Sequence, residues 1–331
     1  MKVSELGERE LIRQVVLPIL ARYQSDHLGD DCAVLPWDDK SSLLITTDIG
    51  SRIPFLRMLQ VGSFIDLGHL FATMSLSDIA AMAGTPIALV SACSFGLDFD
   101  TEHFRELITG LALACEEQGA EFVGGDTKEG PELRVVTTAI GKVETSRVLS
   151  RRGAQAGDIL CVSGCIGRVL QSYIRASRCD GNNGEMILRP KARIDFARSL
   201  ACQQLATSCI DMSDGPIAAA QTLGELNQVE VNLNVGALDL ADPPVEQISP
   251  ELWRSFILNV GGDYELMFTA RASNEVKLID IGAVICGRVE RARGSSGAKL
   301  TGEPKGNLTR PWEHFCSTVE IKNLLKAIVE I

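Results

Sequence analysis

The stretch FIDLGHLFATMSLSDIAAM, residues 64–82, decides the fold class because its apolar residues recur at helical spacing. They form one stripe, and small residues such as Ala72 and Ala80 allow close packing on a sheet. Gly84 and Pro86 follow the stripe and mark the end of the helix. The stretch therefore predicts a helix that covers a sheet.

Short apolar runs rich in β-branched residues lie on both sides of this helix. Strands are predicted at residues 32–35, 43–47, 87–95, 121–125, 133–143, 158–163, 208–212, 229–234 and 264–270. Helices are predicted between them at residues 100–119, 166–176, 191–205 and 216–226, and an N-terminal helix is expected to bend or end near Pro18. Such alternation favours layered α/β or α+β domains.

A seam rich in serine, arginine and glycine at residues 145–157 is the predicted domain boundary. It divides the chain into an N-terminal domain, residues 1–148, and a C-terminal α/β domain, residues 149–331. A chain of 331 residues is long enough for two such domains.

Composition narrows the functional classes. Hydrophobic residues make up 45% and charged residues 23%, as in ordinary globular proteins. A net charge of −11, without any basic run, argues against a nucleic-acid partner. The ten scattered cysteines form no CxxC pair, and no run is long enough to span a membrane, so a cytoplasmic location with reduced thiols is predicted.

Single aspartates at the edges of apolar segments are the main functional signal. Each could be a simple turn former or helix cap, and each motif is weak alone. Asp78 is harder to explain in this way, because it interrupts an apolar helical stripe with no cation at helical spacing. Several converging carboxylates favour Mg²⁺ together with substrate phosphates, so the sequence predicts a magnesium–nucleotide site assembled from distant segments.

Familiar enzyme motifs are absent from the sequence. There is no GxxxxGK[ST] phosphate loop, no GxGxxG fingerprint, no HExxH and no GxSxG elbow. Hydrolase and dehydrogenase functions therefore have little support.

The aspartates belong to an ordered series of motifs: GDDCAVL (29–35), TTD (46–48), SLSDIAAM (75–82), GGDT (124–127), IDMSDG (210–215) and GDYELMFT (262–269). This series resembles the thiamine-monophosphate kinase family from about residue 5 to about residue 315. That family belongs to a wider superfamily with aminoimidazole ribonucleotide synthetase, selenophosphate synthetase and the hydrogenase-maturation dehydratase.

The resemblance implies an ATP- and Mg²⁺-dependent phosphotransferase that converts thiamine phosphate and ATP to thiamine diphosphate and ADP. It also implies an aminoimidazole ribonucleotide synthetase-like fold, in which the N-terminal domain binds Mg–ATP and its sheet forms a barrel across a homodimer, while the C-terminal domain closes the active cleft. The implied metal ligands are Asp31, Thr46, Thr47, Asp48, Asp78, Asp126, Asp211 and Asp214. The implied catalytic residues are Asp48, Asp126, Arg151 and Asp214; Gly125, Asp126, Arg151 and Ser213 would contact ATP, and Gly262 and Trp312 the substrate.

The sequence departs from the family at three positions. No histidine follows the TTD motif, Gly262 stands where the family has a substrate-binding glutamate, and Ser75 replaces an asparagine. The nucleotide half of the site is thus retained while the acceptor half is changed. Two alternatives stay open: a paralogue that phosphorylates or activates a hydroxyl, amide or carbonyl oxygen of another small molecule, and a non-catalytic Mg–ATP-binding protein.

Overall fold

The computed structural model describes residues 7–23, 29–50, 55–178 and 187–302. They form two compact units. The five-stranded unit comprises Val34–Leu149 and Arg168–Gln204, and the six-stranded unit comprises the described residues of Met1–Ala33, Ser150–Gly167 and Leu205–Ile331. The predicted boundary at residues 148 and 149 lies beside one of the four points where the chain passes between units. The predicted division of roles between two domains stays a prediction.

The five-stranded unit is built on one mixed sheet with strand order β1-β2-β5-β3-β4. Its strands are β1 (Ala33–Pro36), β2 (Ser41–Ile49), β3 (Thr85–Phe95), β4 (Glu121–Glu129) and β5 (Arg134–Glu144). Strand β5 pairs antiparallel with β2 and β3, whereas β3 and β4 are parallel. The predicted strands are thus confirmed, with β2 and β4 each four residues longer than expected.

Two long helices cover one face of this sheet. Helix α1 (Phe64–Ala81) begins with a capping box, in which the Ser63 and Asp66 side chains each accept a hydrogen bond from the other's backbone N–H. Helix α2 (Thr101–Glu117) packs on it closely, because a Cβ on Gly68 or Gly110 would lie 2.1 Å from a carbonyl oxygen of the facing helix. The unit also contains a one-turn helix at Phe55–Met58, the 3₁₀ turn Thr145–Arg147, and the helices α3 (Arg168–Arg178) and α4 (Ile194–Cys202).

The six-stranded unit has strand order β11-β8-β10-β6-β9-β7. Its strands are β6 (Asp158–Val162), β7 (Ala206–Asp211), β8 (Val229–Asn234), β9 (Leu266–Arg271), β10 (Val284–Arg291) and β11 (Gly297–Thr301). Its helices are α5 (Pro216–Asn227), α6 (Pro250–Asn259) and α7 (Glu275–Asp280), with 3₁₀ turns at Val235–Ala237 and Ala272–Asn274. Helix α5 packs on the sheet around a core that includes Leu160, Leu223 and Met267. Two sheets with helices on them confirm the mixed α/β class.

The N-terminal helix does not end at Pro18. It runs through Glu8–Leu11, a π segment at Ile12–Val16, Leu17–Leu20 and a 3₁₀ turn at Ala21–Tyr23. The wider π turns precede Pro18, whose backbone nitrogen carries no hydrogen and therefore cannot donate the usual helical hydrogen bond. Of the helices in the described residues, none has the length and apolar character to cross a membrane.

Candidate active site

In the five-stranded unit, the end of β2 meets the middle of α1. Alternation along the strand turns Thr46 and Asp48 toward the helix. The Thr46 hydroxyl donates to Asp78 Oδ2 at 2.5 Å, and Ser75 Oγ donates to Asp48 Oδ2 at 2.8 Å. Asp78 and Ser75 are three residues apart, so they share one face of α1. The structure thus brings three predicted ligands, Thr46, Asp48 and Asp78, to one place.

Thr137 of β5 holds Ser75 in position. The two hydroxyl oxygens are 2.7 Å apart, and the Thr137 hydroxyl also lies 3.1 Å from the Phe71 carbonyl oxygen, to which it donates. Both side chains are fully buried. Because Ser75 has a single proton to donate, the charged Asp48 carboxylate is its preferred acceptor. Sequence reasoning missed this support. The three-residue spacing of Ser75 and Asp78 was its only signal.

A row of paired residues crosses the sheet from Asp48 on β2 to Gly125 on β4. Asp48 pairs with Thr137, Thr137 with Ser91, and Ser91 with Gly125. A Cβ on Gly125 would lie 1.7 Å from the Ser91 carbonyl oxygen, so only glycine fits there. The exposed Asp126 follows, and its Oδ1 accepts from the Thr127 backbone N–H at 2.9 Å.

Thr47, another predicted ligand, has its side chain on the opposite face of β2. Its hydroxyl donates to the Thr137 carbonyl oxygen at 3.1 Å and accepts from the Thr138 hydroxyl at 3.1 Å. The hydroxyl is therefore part of the strand pairing. The Thr47 role stays a prediction that its side-chain direction does not favour.

In the six-stranded unit, Arg151 lies over the Gly29–Asp31 turn. Asp30 accepts hydrogen bonds from the Arg151 backbone N–H at 2.6 Å and from Ser150 Oγ at 2.9 Å. Arg151 Nη2 donates to Asp31 Oδ1 at 2.7 Å, and Nη1 donates to the Gly29 carbonyl oxygen at 3.3 Å. The turn and the arginine therefore fix each other. Asp30 and Ser150 were not among the predicted site residues, although both flank predicted ones.

Asp31 has the environment of a cation ligand. Its side chain is fully buried, and Oδ2 has no hydrogen-bond partner among the described residues. Burial raises the pKa of this carboxyl above its ordinary value, although the Arg151 guanidinium opposes that effect. A carboxylate oxygen of Asp31 lies within 4.8 Å of one from the buried Asp211. Two buried carboxylates this close favour a cation between them.

The turn after β7 contains the remaining predicted metal and ATP contacts of this unit, Ser213 and Asp214. Ser213 Oγ donates to Asp211 Oδ1 at 3.3 Å, and the half-buried Asp214 precedes α5. A Cβ on Gly261 would lie 1.6 Å from the Ser213 carbonyl oxygen, so the Gly261–Gly262 segment packs directly on this turn. Gly262 has φ +120°, a backbone conformation that favours glycine.

The structure leaves part of the predicted acceptor site undescribed. Trp312 and the segment after Gly50, residues 51–54, lie outside the described residues. Arg57 lies just after this segment, in the short helix Phe55–Met58, and its guanidinium carbon is 4.7 Å from the centre of the Phe64 ring. This contact is a cation–π interaction that holds Arg57 against α1.

Comparison with known proteins supports one family. The model for AIR synthase related protein, N-terminal domain, matches residues 29–143. The thiamine-monophosphate kinase of Methanospirillum hungatei is 29% identical over 296 residues, which cover 89% of this chain and 95% of that protein. The thiamine-monophosphate kinase of Escherichia coli is 30% identical over 257 residues, covering 75% of this chain and 77% of that one.

A solved structure agrees with these relatives. The structure described as AaThiL complexed with AMPPCP and TMP superposes with a TM-score of 0.79 at 26% identity, covering 95% of this chain and 99% of that one. Sequence and fold therefore point the same way across almost the whole chain. The chain belongs to the thiamine-monophosphate kinase family.

Proposed function

We propose that the protein is an ATP-dependent kinase that transfers a phosphoryl group to thiamine monophosphate. One observation of the structure carries the proposal: Asp31 is a fully buried carboxyl with an unpartnered oxygen, within 4.8 Å of a second buried carboxylate and held by Arg151. The relative bound to AMPPCP and TMP supplies the substrate classes. Phosphoryl transfer needs positioning and charge neutralisation, which such groups provide.

Mg²⁺ fits the carboxylates of each unit considered by itself. Asp31, Asp211 and Asp214 would contribute oxygen ligands from the six-stranded unit, and Thr46, Asp48, Asp78 and Asp126 from the five-stranded unit. When bound, Mg²⁺ would neutralise phosphate oxygens and favour in-line displacement. The chain's own contribution is to hold the ligands before substrate arrives: Ser75 orients Asp48, and the Thr46 hydroxyl orients Asp78.

Arg151 is the proposed cation for the transferring group. Its backbone is fixed by Asp30 and by Asn227, whose Nδ2 donates to the Arg151 carbonyl oxygen at 2.8 Å. The guanidinium is held between Gly29 and Asp31, so little side-chain entropy is lost when phosphate is contacted. Gly125 and Ser213 are proposed as further ATP contacts.

A different acceptor is the second candidate, and Gly262 is the observation that favours it. The family's glutamate at this position would offer a charge to the acceptor, whereas Gly262 offers none. A hydrogen bond to a charged group contributes about 1.5–3 kcal/mol, so its loss could weaken acceptor binding by roughly ten- to a hundredfold.

Steady-state kinetics with Mg–ATP and thiamine monophosphate test the function. We expect ADP and thiamine diphosphate in equal amounts, with turnover abolished in Arg151→Met. ADP release with another small-molecule acceptor but not with thiamine monophosphate would establish the second candidate. Nucleotide binding without ADP release for any acceptor would establish a non-catalytic binder and refute the kinase.

A homodimer that pairs the N-terminal sheets is the proposed assembly. The face of the five-stranded sheet away from α1 exposes Ile49 by 64%, Val123 by 55% and Val90 by 37%. An apolar face of this kind is typical of an interaction surface. Two-fold pairing of this face with itself would bury it, as the predicted barrel requires.

Light scattering should give twice the chain mass of 35.7 kDa. Ile49→Lys combined with Val123→Lys should shift the protein toward the monomer, because each would place a charge in the interface. Leu97→Lys is the matched control, since Leu97 is 93% exposed in the loop after β3. A monomeric parent protein, or a dimer unaffected by the double substitution, would contradict the proposal.

A further inference from the structure

A cavity of about 530 Å³ lies at the opposite end of the five-stranded sheet from the carboxylates. It is formed by the start of β2, the start of β3, the end of β5 and the end of α4. Residues 41 and 48 of β2 are seven positions apart, which is about 23 Å along a strand. The cavity is therefore separate from the proposed metal ligands of this unit.

Cationic side chains dominate the cavity wall. Lys40, Lys142, Arg147 and Arg198 line it together with a single carboxylate, Glu144. The whole chain has a net charge of −11, so this concentration of positive charge is unusual for the protein. A concave surface lined by charges of one sign raises the local concentration of opposite ions.

Arg147 is paired with Glu144 at 3.0 Å, whereas the ion pairs of Lys142 and Arg198 are longer. Lys142 Nζ lies 3.6 Å from Asp38, and Arg198 Nη1 lies 3.9 Å from Asp195; the two cationic side chains are 41% and 50% exposed. Exposed pairs of this kind contribute little, so both side chains can turn to a stronger anion. Among the described residues, Lys40 Nζ makes no ion pair.

An apolar surface lies beside the cations. Ala83, Ile87, Val143 and Ala201 contribute to the wall; Ile87 is 44% exposed, whereas each of the other three is at most 6% exposed. Inorganic phosphate has no group to place against this apolar part of the wall, whereas an organic phosphate would pack its non-polar part there. The volume is within the range of small-molecule sites.

We propose that this cavity is a second binding site, which takes a phosphate monoester with an apolar substituent. The phosphate contacts Lys142 and Arg198, and the substituent packs on Ile87. Binding here does not require Mg²⁺, because the cations belong to the protein. This distinguishes it from the proposed nucleotide site, where acidic side chains repel phosphate unless a metal is present.

Cys202 provides a built-in reporter. It lines the cavity, is exposed, and its Sγ lies 3.2 Å from Arg147 Nη1. Its alkylation by iodoacetamide, a neutral reagent, is followed by peptide mass spectrometry in EDTA at constant ionic strength. Phenyl phosphate is the probe. Inorganic phosphate, which lacks the phenyl group, tests the contribution of the apolar wall, and sodium chloride controls for the effect of ionic screening on the alkylation rate. The measured quantity is the ratio of the alkylation rates with and without the anion.

We expect phenyl phosphate to protect Cys202 at lower concentrations than inorganic phosphate. In Lys142→Gln combined with Arg198→Gln, about tenfold more phenyl phosphate should be needed for the same protection, a change equivalent to about 1.4 kcal/mol. Arg105→Gln is the matched control, since Arg105 is exposed, lies outside the cavity and is paired with Glu102 on α2. It should leave protection unchanged.

Three results would overturn the proposal: no protection by either anion, equal protection by both, or protection that survives the double substitution. Calorimetry of phenyl phosphate binding in EDTA is the second measurement, and absence of binding heat together with unprotected Cys202 would also refute the site. Because metal is chelated throughout, none of these results bears on the proposed kinase function.

Discussion

Replacing Ser75 with alanine tests whether the buried hydroxyl network sets the position of Asp48. The substitution removes the donor that lies 2.8 Å from Asp48 Oδ2 and leaves the strands and α1 otherwise intact. Loss of a hydrogen bond to a charged group costs about 1.5–3 kcal/mol, and water can restore part of this because Asp48 is only half-buried. Loss of a group that orients a metal ligand typically weakens metal affinity by about 10–100-fold.

We therefore expect Ser75→Ala to weaken Mg-dependent binding of an ATP analogue by about tenfold or more, with a cost to folding of about 1 kcal/mol. Isothermal titration calorimetry measures the binding, and urea unfolding measures the stability. Ser42→Ala is the matched control, because Ser42 is a buried serine at the other end of β2 whose hydroxyl contacts Thr145 at 2.9 Å. Analogue affinity within twofold of the parent in both variants would refute the role of Ser75.

Three further predictions concern metal ligands, backbone strain and pH. Asp48→Asn and Asp126→Asn should each abolish Mg-dependent nucleotide binding with little loss of stability, and calorimetry showing unchanged affinity in both would rule out the ligand assignment. Gly262→Glu should lower the free energy of unfolding by about 1–3 kcal/mol because φ is +120° there; urea unfolding at the parent value would contradict this. Burial lowers the pKa of His69 in the folded protein, and Glu117 opposes this effect. The unfolded chain therefore binds the proton more readily, so the free energy of unfolding should fall as the pH drops below about 6.5. Urea unfolding of His69→Gln should show a smaller decline with pH, and an unchanged decline would contradict the assignment.

The sequence predicted most of the elements whose signal is local. The stripe at 64–82 predicted α1, found at Phe64–Ala81, because a helix that covers a sheet must repeat its apolar residues every three or four positions. Strands β10 and β11 were not predicted individually. Their sequences lack a clear alternation of apolar and polar residues. Strand β10 is defined by its pairing with β6 and β8, and β11 by its pairing with β8.

Residue chemistry in the candidate site was readable from the sequence, since an aspartate at the edge of an apolar run is conspicuous without any structure. The direction in which each side chain points could not be predicted in the same way. Thr47 was grouped with Thr46 and Asp48 by resemblance, whereas strand alternation turns its hydroxyl to the other face.

The partners of these aspartates were decided by tertiary structure alone. Ser75 and Thr137 are 62 residues apart, and Arg151 and Asp31 are 120 apart. A local sequence pattern does not show which distant hydroxyl or guanidinium contacts a carboxylate, because strand register and helix packing determine that contact. The sequence by itself determined the fold class and the acidic chemistry of the site. Only the folded chain decided that Ser75 supports Asp48 and that Arg151 holds Asp31, since a buried carboxylate is stable only where folding brings it a donor or a cation.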